Sequence, residues 1–318
     1  MNKVFAGIMV IGVFGMATSF GGVPVTTELI KQRGLVSQGN PARLLAVLDK
    51  ARRGEPVTIA AIGGSITAGG ARTKDPENRY INRMAAWFTK TFPKCKIKFI
   101  NAGIGGTNSY YGAMRIHDDV LSQTPDLVVV EYAVNNPPGR DYAESYEGVL
   151  RQLLREPQKI AVVELFFMHR KGENSQDWQE MLGRQYQLPM ISFRDAWWPE
   201  FSSGRAVWED AYDDIVHPKD MGHILASDLL IALLDAVNRM AQPGVLPPSV
   251  NVELPPPMIS DVFANCIFSQ YGKVNPTGQS GWSRPAGGGN WESSAPKSFI
   301  EFEFTGRVIS SAAGESNR

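Results

Sequence analysis

An uninterrupted apolar and β-branched run, Val57 to Ile62, ends in Gly63-Gly64 and delivers Ser65, followed by Ile66-Thr67. A run this short, closed by two glycines, reads as a buried strand whose end turns sharply. In a parallel α/β sheet the carboxyl ends of the strands are where ligands bind. A serine at that place, just beyond glycines that clear steric room, is a candidate nucleophile. It needs a base to take its proton, a group to orient the base, and donors for an oxyanion.

The chain repeats the strand pattern four more times. Further strands are expected at residues 97–100, 127–132, 160–167 and 190–193, separated by helical stretches at 80–91, up to about 121, at 142–155 and at 176–186. A polar-rich helical stretch over residues 27–54 precedes the first strand, and a final helix runs to about Met240, with Asp220 placed to cap it. Strands alternating with helices predict an α/β fold: a three-layer α/β/α domain with a parallel five-stranded sheet, flavodoxin-like, over residues 25–242. Prolines then crowd residues 243–258, which reads as a stiff extended linker. Residues 259–318 hold short strand-like runs between Gly- and Pro-rich turns and read as a small, incomplete β-rich accessory segment. That length falls short of the roughly 100 residues of a β-sandwich.

Charge and composition narrow the function classes. Lys+Arg and Asp+Glu both number 32, a formal net charge of zero, which argues against nucleic-acid partners and anionic membrane surfaces. At the N-terminus, Lys3 precedes an apolar stretch from Val4 to Ala17 and then Thr18-Ser19. The stretch is shorter than the ~20 residues a membrane span requires. Residues 1–20 therefore read as a secretory signal peptide, leaving a secreted or periplasmic protein with no membrane span after processing. The two cysteines, Cys95 and Cys266, lack metal-ligand spacing and leave a disulfide or two free thiols open.

Three expected strand ends carry special residues: Ser65 after the first, Gly106 after the second and Asn135 after the third. Asp214 and His217 share one late loop before the last helix. A serine hydroxyl becomes a useful nucleophile when an imidazole takes its proton, a role open to His217, with Asp214 to orient the ring and stabilise the imidazolium. Ser65 N–H, Gly106 N–H and the Asn135 amide are candidate oxyanion donors. Taken singly, Gly-Gly-Ser is more often just a turn, and a lone histidine more often a surface or capping residue. His117, His169 and His223 read as ordinary, with His169 near enough to a strand end to line a cleft. Trp197, Trp198 and Trp208 read as core or lid packing, with a sugar platform as the alternative.

The four blocks in this order resemble the SGNH hydrolases, the GDSL esterase/lipase group. The blocks are Gly63-Gly64-Ser65-Ile66-Thr67, Asn101 to Ser109 with Gly106 in the glycine position, Ala133-Val134-Asn135-Asn136, and Asp214-Ile215-Val216-His217-Pro218. The resemblance covers roughly residues 55–240. It implies Ser65, His217 and Asp214 as the triad, and Ser65, Gly106 and Asn135 as the oxyanion hole. Two positions depart from the common pattern: Gly64 precedes the serine where many relatives have aspartate, and Asn136 stands where aspartate is common. No metal or organic cofactor is implied. The leading expectation is an exported serine esterase that removes acyl groups, acetyl among them, from a small-molecule or polysaccharide ester. The sugar assignment leans on export, the tryptophans and the trailing β segment. A lipid esterase or lysophospholipase is the second reading, and a non-catalytic glycan-binding module on the same fold the third.

Overall fold

The computed structural model describes residues 24–70, 72–241, 253–266, 275–283, 291–293 and 296–303. The expected signal peptide and residues 243–252 of the proline-rich stretch lie outside the described residues. The chain runs α1 (Glu28–Gly34), β1 (Leu35–Ser37), α2 (Ala42–Arg52), β2 (Val57–Gly63), α3 (Ser65–Ala68), α4 (Tyr80–Thr91), β3 (Ile97–Gly103), α5 (Ser109–Asp119) and β4 (Leu127–Glu131). It continues with α6 (Arg140–Leu154), β5 (Ala161–Phe166), α7 (Gln176–Gln185), β6 (Met190–Ser192), α8 (Phe193–Ser202), α9 (Trp208–Ala211) and α10 (Asp220–Met240), and then β7 (Gly278–Ser280) and β8 (Phe299–Glu301).

Strands β2 to β6 form the expected parallel five, in the order β6-β5-β4-β2-β3. A sixth strand, β1, joins the edge antiparallel to β6. It corrects the reading of residues 27–54 as one helical stretch. Three residues are too few to show a period of two, while Gly39, at φ +56°, and Pro41 break the helix before α2. β7 and β8 pair antiparallel as a small separate sheet.

Alternation along the strands sorts side chains to the two faces of the sheet. Val57, Ile59 and Ala61 pack with Leu127 and Val129 against Leu48 of α2, Phe88 of α4 and Leu229 of α10. Ala60, Ile62, Val128 and Val130 pack against Ile116 of α5 and Leu150 of α6. With both faces covered, the strands read as continuous apolar runs. Each fully buried Val, Leu or Ile side chain contributes about 1.5–3 kcal/mol by leaving water. The same surroundings make the buried carboxylates Glu131 of β4 and Glu164 of β5 costly to ionise.

The end of the α/β body lies later than the prolines imply. The buried Glu147 carboxylate on α6 accepts from the backbone N–H groups of Met258, Ile259 and Ser260 at 2.6, 2.8 and 3.0 Å, and from the Tyr186 hydroxyl. Gln152 donates to the Phe263 carbonyl at 2.8 Å, and Arg151 to that of Pro255 at 2.7 Å. Phe263 is buried among α5 and α6 residues. Residues 253–266 are thus held on α6 as a strap, which moves the boundary past the expected linker end at 258. Both cysteines are free thiols: Cys95 belongs to the apolar cluster on one face of the sheet and Cys266 packs against the cluster on the other.

Candidate active site

Register brings the strand ends together. Gly63 of β2 lies level with Gly103 of β3 and with Glu131 of β4, so the segments that follow leave the sheet together at the carboxyl ends of the strands. β2 lies between β3 and β4, and the winding direction reverses there, where open α/β sheets form their ligand crevice. Arg115, buried on α5, ties the two central strand ends by donating to the Gly63 carbonyl and the Tyr132 hydroxyl, each at 3.2 Å.

Ser65 opens α3 immediately after Gly64, and its Oγ lies 2.9 Å from His217 Nε2. His217 Nδ1 lies 2.8 Å from Asp214 Oδ2. Burial works against ionisation of Asp214, but the backbone N–H groups of His217 and Val216 and the imidazole outweigh it and take the acid down to about 2. An ionised carboxylate only accepts, so Nδ1 carries the ring proton and Nε2 is free to accept from the serine hydroxyl. Proton transfer from Ser65 to His217 therefore needs no rearrangement.

The loop holding Asp214 and His217 is built as a small closed unit. Tyr212 and Pro218 form an antiparallel bridge at its base, and Asp213 N–H donates to the His217 carbonyl at 2.9 Å. Inside the turn, Asp214 Oδ1 accepts from Val216 N–H at 2.8 Å and His217 N–H at 2.7 Å. The Trp208 indole donates to the Asp214 carbonyl at 2.8 Å while its ring stacks on Tyr212 at 3.8 Å. Trp208 and Trp197 are buried, and all three tryptophans lie in α8 and α9. They are packing residues, and the sugar-platform alternative has no support from them.

The Asn135 amide lies against Gly64, so closely that a side chain at that glycine would collide with Asn135 Oδ1. Glycine beside the serine in place of the commoner aspartate is the residue that admits this close approach. On the opposite side, the Cβ position of Gly105 is 3.8 Å from Ser65 Cβ, and Gly106 adopts φ +73° with open space where a side chain would be. Asn136 is buried and points away from the serine. It accepts from Ser109 N–H at 3.0 Å and donates to Ser109 Oγ at 2.9 Å, joining the ends of the second and third blocks.

Asp220 does not cap α10; Lys219 holds that position. Its carboxylate accepts instead from Lys74 N–H at 2.7 Å, Asp75 N–H at 3.3 Å and Asn78 Nδ2 at 3.4 Å, pinning the loop after α3. His223 is buried beside Tyr80, and burial pushes it down to about 4. His169 Nε2 lies 3.1 Å from the Val134 carbonyl, bracing the turn that carries Asn135. Arg72 and Arg115 are contributors that sequence spacing did not single out, and Trp208, expected as packing, also holds the acid loop through the Asp214 carbonyl. Among the described residues no group of three or more His, Cys, Asp or Glu side chains is placed to hold a metal ion.

A doubly wound α/β domain with a hydrogen-bonded Ser–His–Asp chain at its switch point defines a serine ester hydrolase. Residues 61–225, more than half of the chain, match the model of the GDSL-like lipase/acylhydrolase family. The chain belongs to that family. Among solved structures, a two-domain esterase active on acetylated mannans, co-crystallised with mannopentaose, is 32% identical with a TM-score of 0.74, over 80% of this chain and 67% of that one. A second structure of such a two-domain esterase gives 31% identity and a TM-score of 0.75, over 84% and 69% of the two chains. No curated protein sequence matches the chain.

Proposed function

We propose that this chain is an exported carbohydrate esterase that removes acetyl groups from a polysaccharide or its oligosaccharides. The observation that carries the proposal is the likeness to the esterase active on acetylated mannans, which at 80% of the chain reaches well beyond the family match. Ser65 Oγ attacks the acetyl carbonyl as its proton passes to His217 Nε2, and Asp214 stabilises the imidazolium. The oxyanion of the tetrahedral intermediate takes hydrogen bonds from Ser65 N–H, Gly106 N–H and the Asn135 amide. His217 returns the proton to the departing sugar oxygen, leaving an acetyl-serine. Water, deprotonated by His217, then attacks that ester, and His217 returns the proton to Ser65 Oγ as the acyl bond breaks, releasing acetate and free Ser65. Export rests on residues 1–20, and N-terminal sequencing of the mature protein tests it.

The deciding experiment compares acetate release from acetylated mannan oligosaccharides with hydrolysis of short and long p-nitrophenyl esters, using Ser65→Ala as the control. Sugar deacetylation that outpaces the long-chain ester and vanishes in Ser65→Ala is the expected result. Preference for long acyl chains, with sugar acetates untouched, would establish the lipid-esterase reading instead.

A further inference from the structure

We infer that Arg72 is a positioning residue for this reaction: its guanidinium spans Asp213 and Asp214, holds the acid against the imidazole and offsets the charge of the second carboxylate at His217. The role presupposes the esterase reading above. Arg72 Nη2 lies 3.0 Å from Asp214 Oδ2, the same oxygen that faces His217 Nδ1 at 2.8 Å, and its Nε lies 3.2 Å from Asp213 Oδ2. The arginine is not a stray surface side chain. Its neighbour Thr73 is buried and donates to the Gly69 carbonyl at 2.7 Å, and Asp220 clasps the next turn of the loop. The loop is thereby fixed to the first turn of α10, directly after the segment that carries His217.

The reason for a cation here is the second aspartate. Two adjacent carboxylates favour the imidazolium form of a nearby histidine, and an imidazolium cannot accept the proton of Ser65. A guanidinium stays charged throughout the working range and cancels one of the two. Arg72 and Asp213 have side chains 44% and 53% exposed, so the pair adds little to stability, and its effect falls on the reaction. The other ionisable groups around His217 are engaged elsewhere. Lys219 donates to the Glu209 carbonyl, Arg170 pairs with the Glu209 carboxylate, Asp220 binds loop amides and His169 lies on the Val134 carbonyl. Lys74 shares the loop of Arg72, and Glu131 is buried beneath Thr67; both are common to every variant below.

The test is the pH profile of kcat/KM on a small soluble acetyl ester, with the full chain, for wild type, Arg72→Gln, Arg72→Lys, Asp213→Asn and the Arg72→Gln/Asp213→Asn double variant. Removing one unit charge a few ångströms away in water-like surroundings moves the acid limb by about half a pH unit. Arg72→Gln should move the limb up, Asp213→Asn should move it down, Arg72→Lys should leave it in place, and the double variant should return it to the wild-type position. The shifts should shrink in 1 M salt, where the screening length is about 3 Å. An unmoved limb in Arg72→Gln, a limb that moves equally in Arg72→Lys, or a double variant that fails to restore it overturns the inference. Should Arg72→Gln fail to fold, Arg72→Met takes its place: an upward limb opposite to that of Asp213→Asn supports the role and an unmoved one refutes it. Wild-type activity that survives Ser65→Ala would instead bring down the esterase reading and this role with it.

Discussion

Replacing Glu164 by glutamine removes an ionisable proton from the middle of the sheet and leaves the side chain's size unchanged. Glu164 lies on β5 with no exposed surface, against Gly183 of α7 and Met190 of β6. The Tyr146 hydroxyl is the group that faces its carboxyl, and burial outweighs the help this neighbour gives the charged form. Burial pushes its pKa from an ordinary 4.5 up to about 8. The folded protein therefore keeps the proton in a range where the unfolded chain releases it. Stability from this group is fully present below pH 4.5 and is lost as pH rises through 8. Between pH 5 and pH 8.5 the loss amounts to about 4 kcal/mol. Glu131, raised to about 7 by burial, adds a loss of the same sign. Subtracting Glu164→Gln from wild type at each pH removes that contribution, because Glu131 is common to both. Chemical denaturation followed by tryptophan fluorescence at the two pH values measures the difference. The glutamine variant should be close to wild type at pH 5 and more stable than wild type at pH 8.5 by a few kcal/mol. A variant equally destabilised at both values would show that Glu164 is ionised in the folded protein, and the reasoning would fail.

Three further outcomes concern the site. Ser65→Ala and His217→Ala should each lower kcat by several orders of magnitude, with the double variant little worse than either and Asp214→Asn milder than the serine loss, in steady-state kinetics on a small ester. Asn135→Ala should cost about 10²–10³ in kcat with KM nearly constant, as loss of one oxyanion donor does; an equal rise in KM would argue against that role. Trp208→Phe keeps the ring against Tyr212 but removes the hydrogen bond to the Asp214 carbonyl, so stability should fall by about 1 kcal/mol while kcat drops several-fold; unchanged kcat would show that the loop holds its own shape.

Most of the α/β order was legible because central strands buried on both faces write themselves as runs such as Leu127–Glu131 between turn residues. The residues that gather at the crevice were legible for a related reason. Ser65, Asn135 and His217 stand at strand ends or before a helix, where local punctuation marks them. What escaped is set by contacts distant in sequence. β1 is three residues long and exists because β6 offers it an edge. Asp220 looks like a helix cap from its neighbours alone, yet its partners lie in the loop near residue 75. Trp208 serves the acid loop through a carbonyl, which no spacing rule reports. Glu147 did carry a signal: it interrupts the apolar stripe formed by Ala143, Tyr146, Leu150 and Leu153 on α6, and a lone acid on a buried face has to find donors somewhere.

Glu147 also sets where this protein can be joined to others. The prolines after Ala241 look like a natural seam for genetic recombination, since a stiff spacer usually separates independent units. A chain cut there would lose three amide donors to a fully buried carboxylate and the aromatic cover that Phe263 gives α6. Each of those hydrogen bonds is worth about 1 kcal/mol and the burial of Phe263 about 1.5–3 kcal/mol more, together a large part of an ordinary domain's stability. Shuffling that exchanges the region C-terminal to the hydrolase should therefore tolerate crossovers after residue 266 and reject those among the prolines.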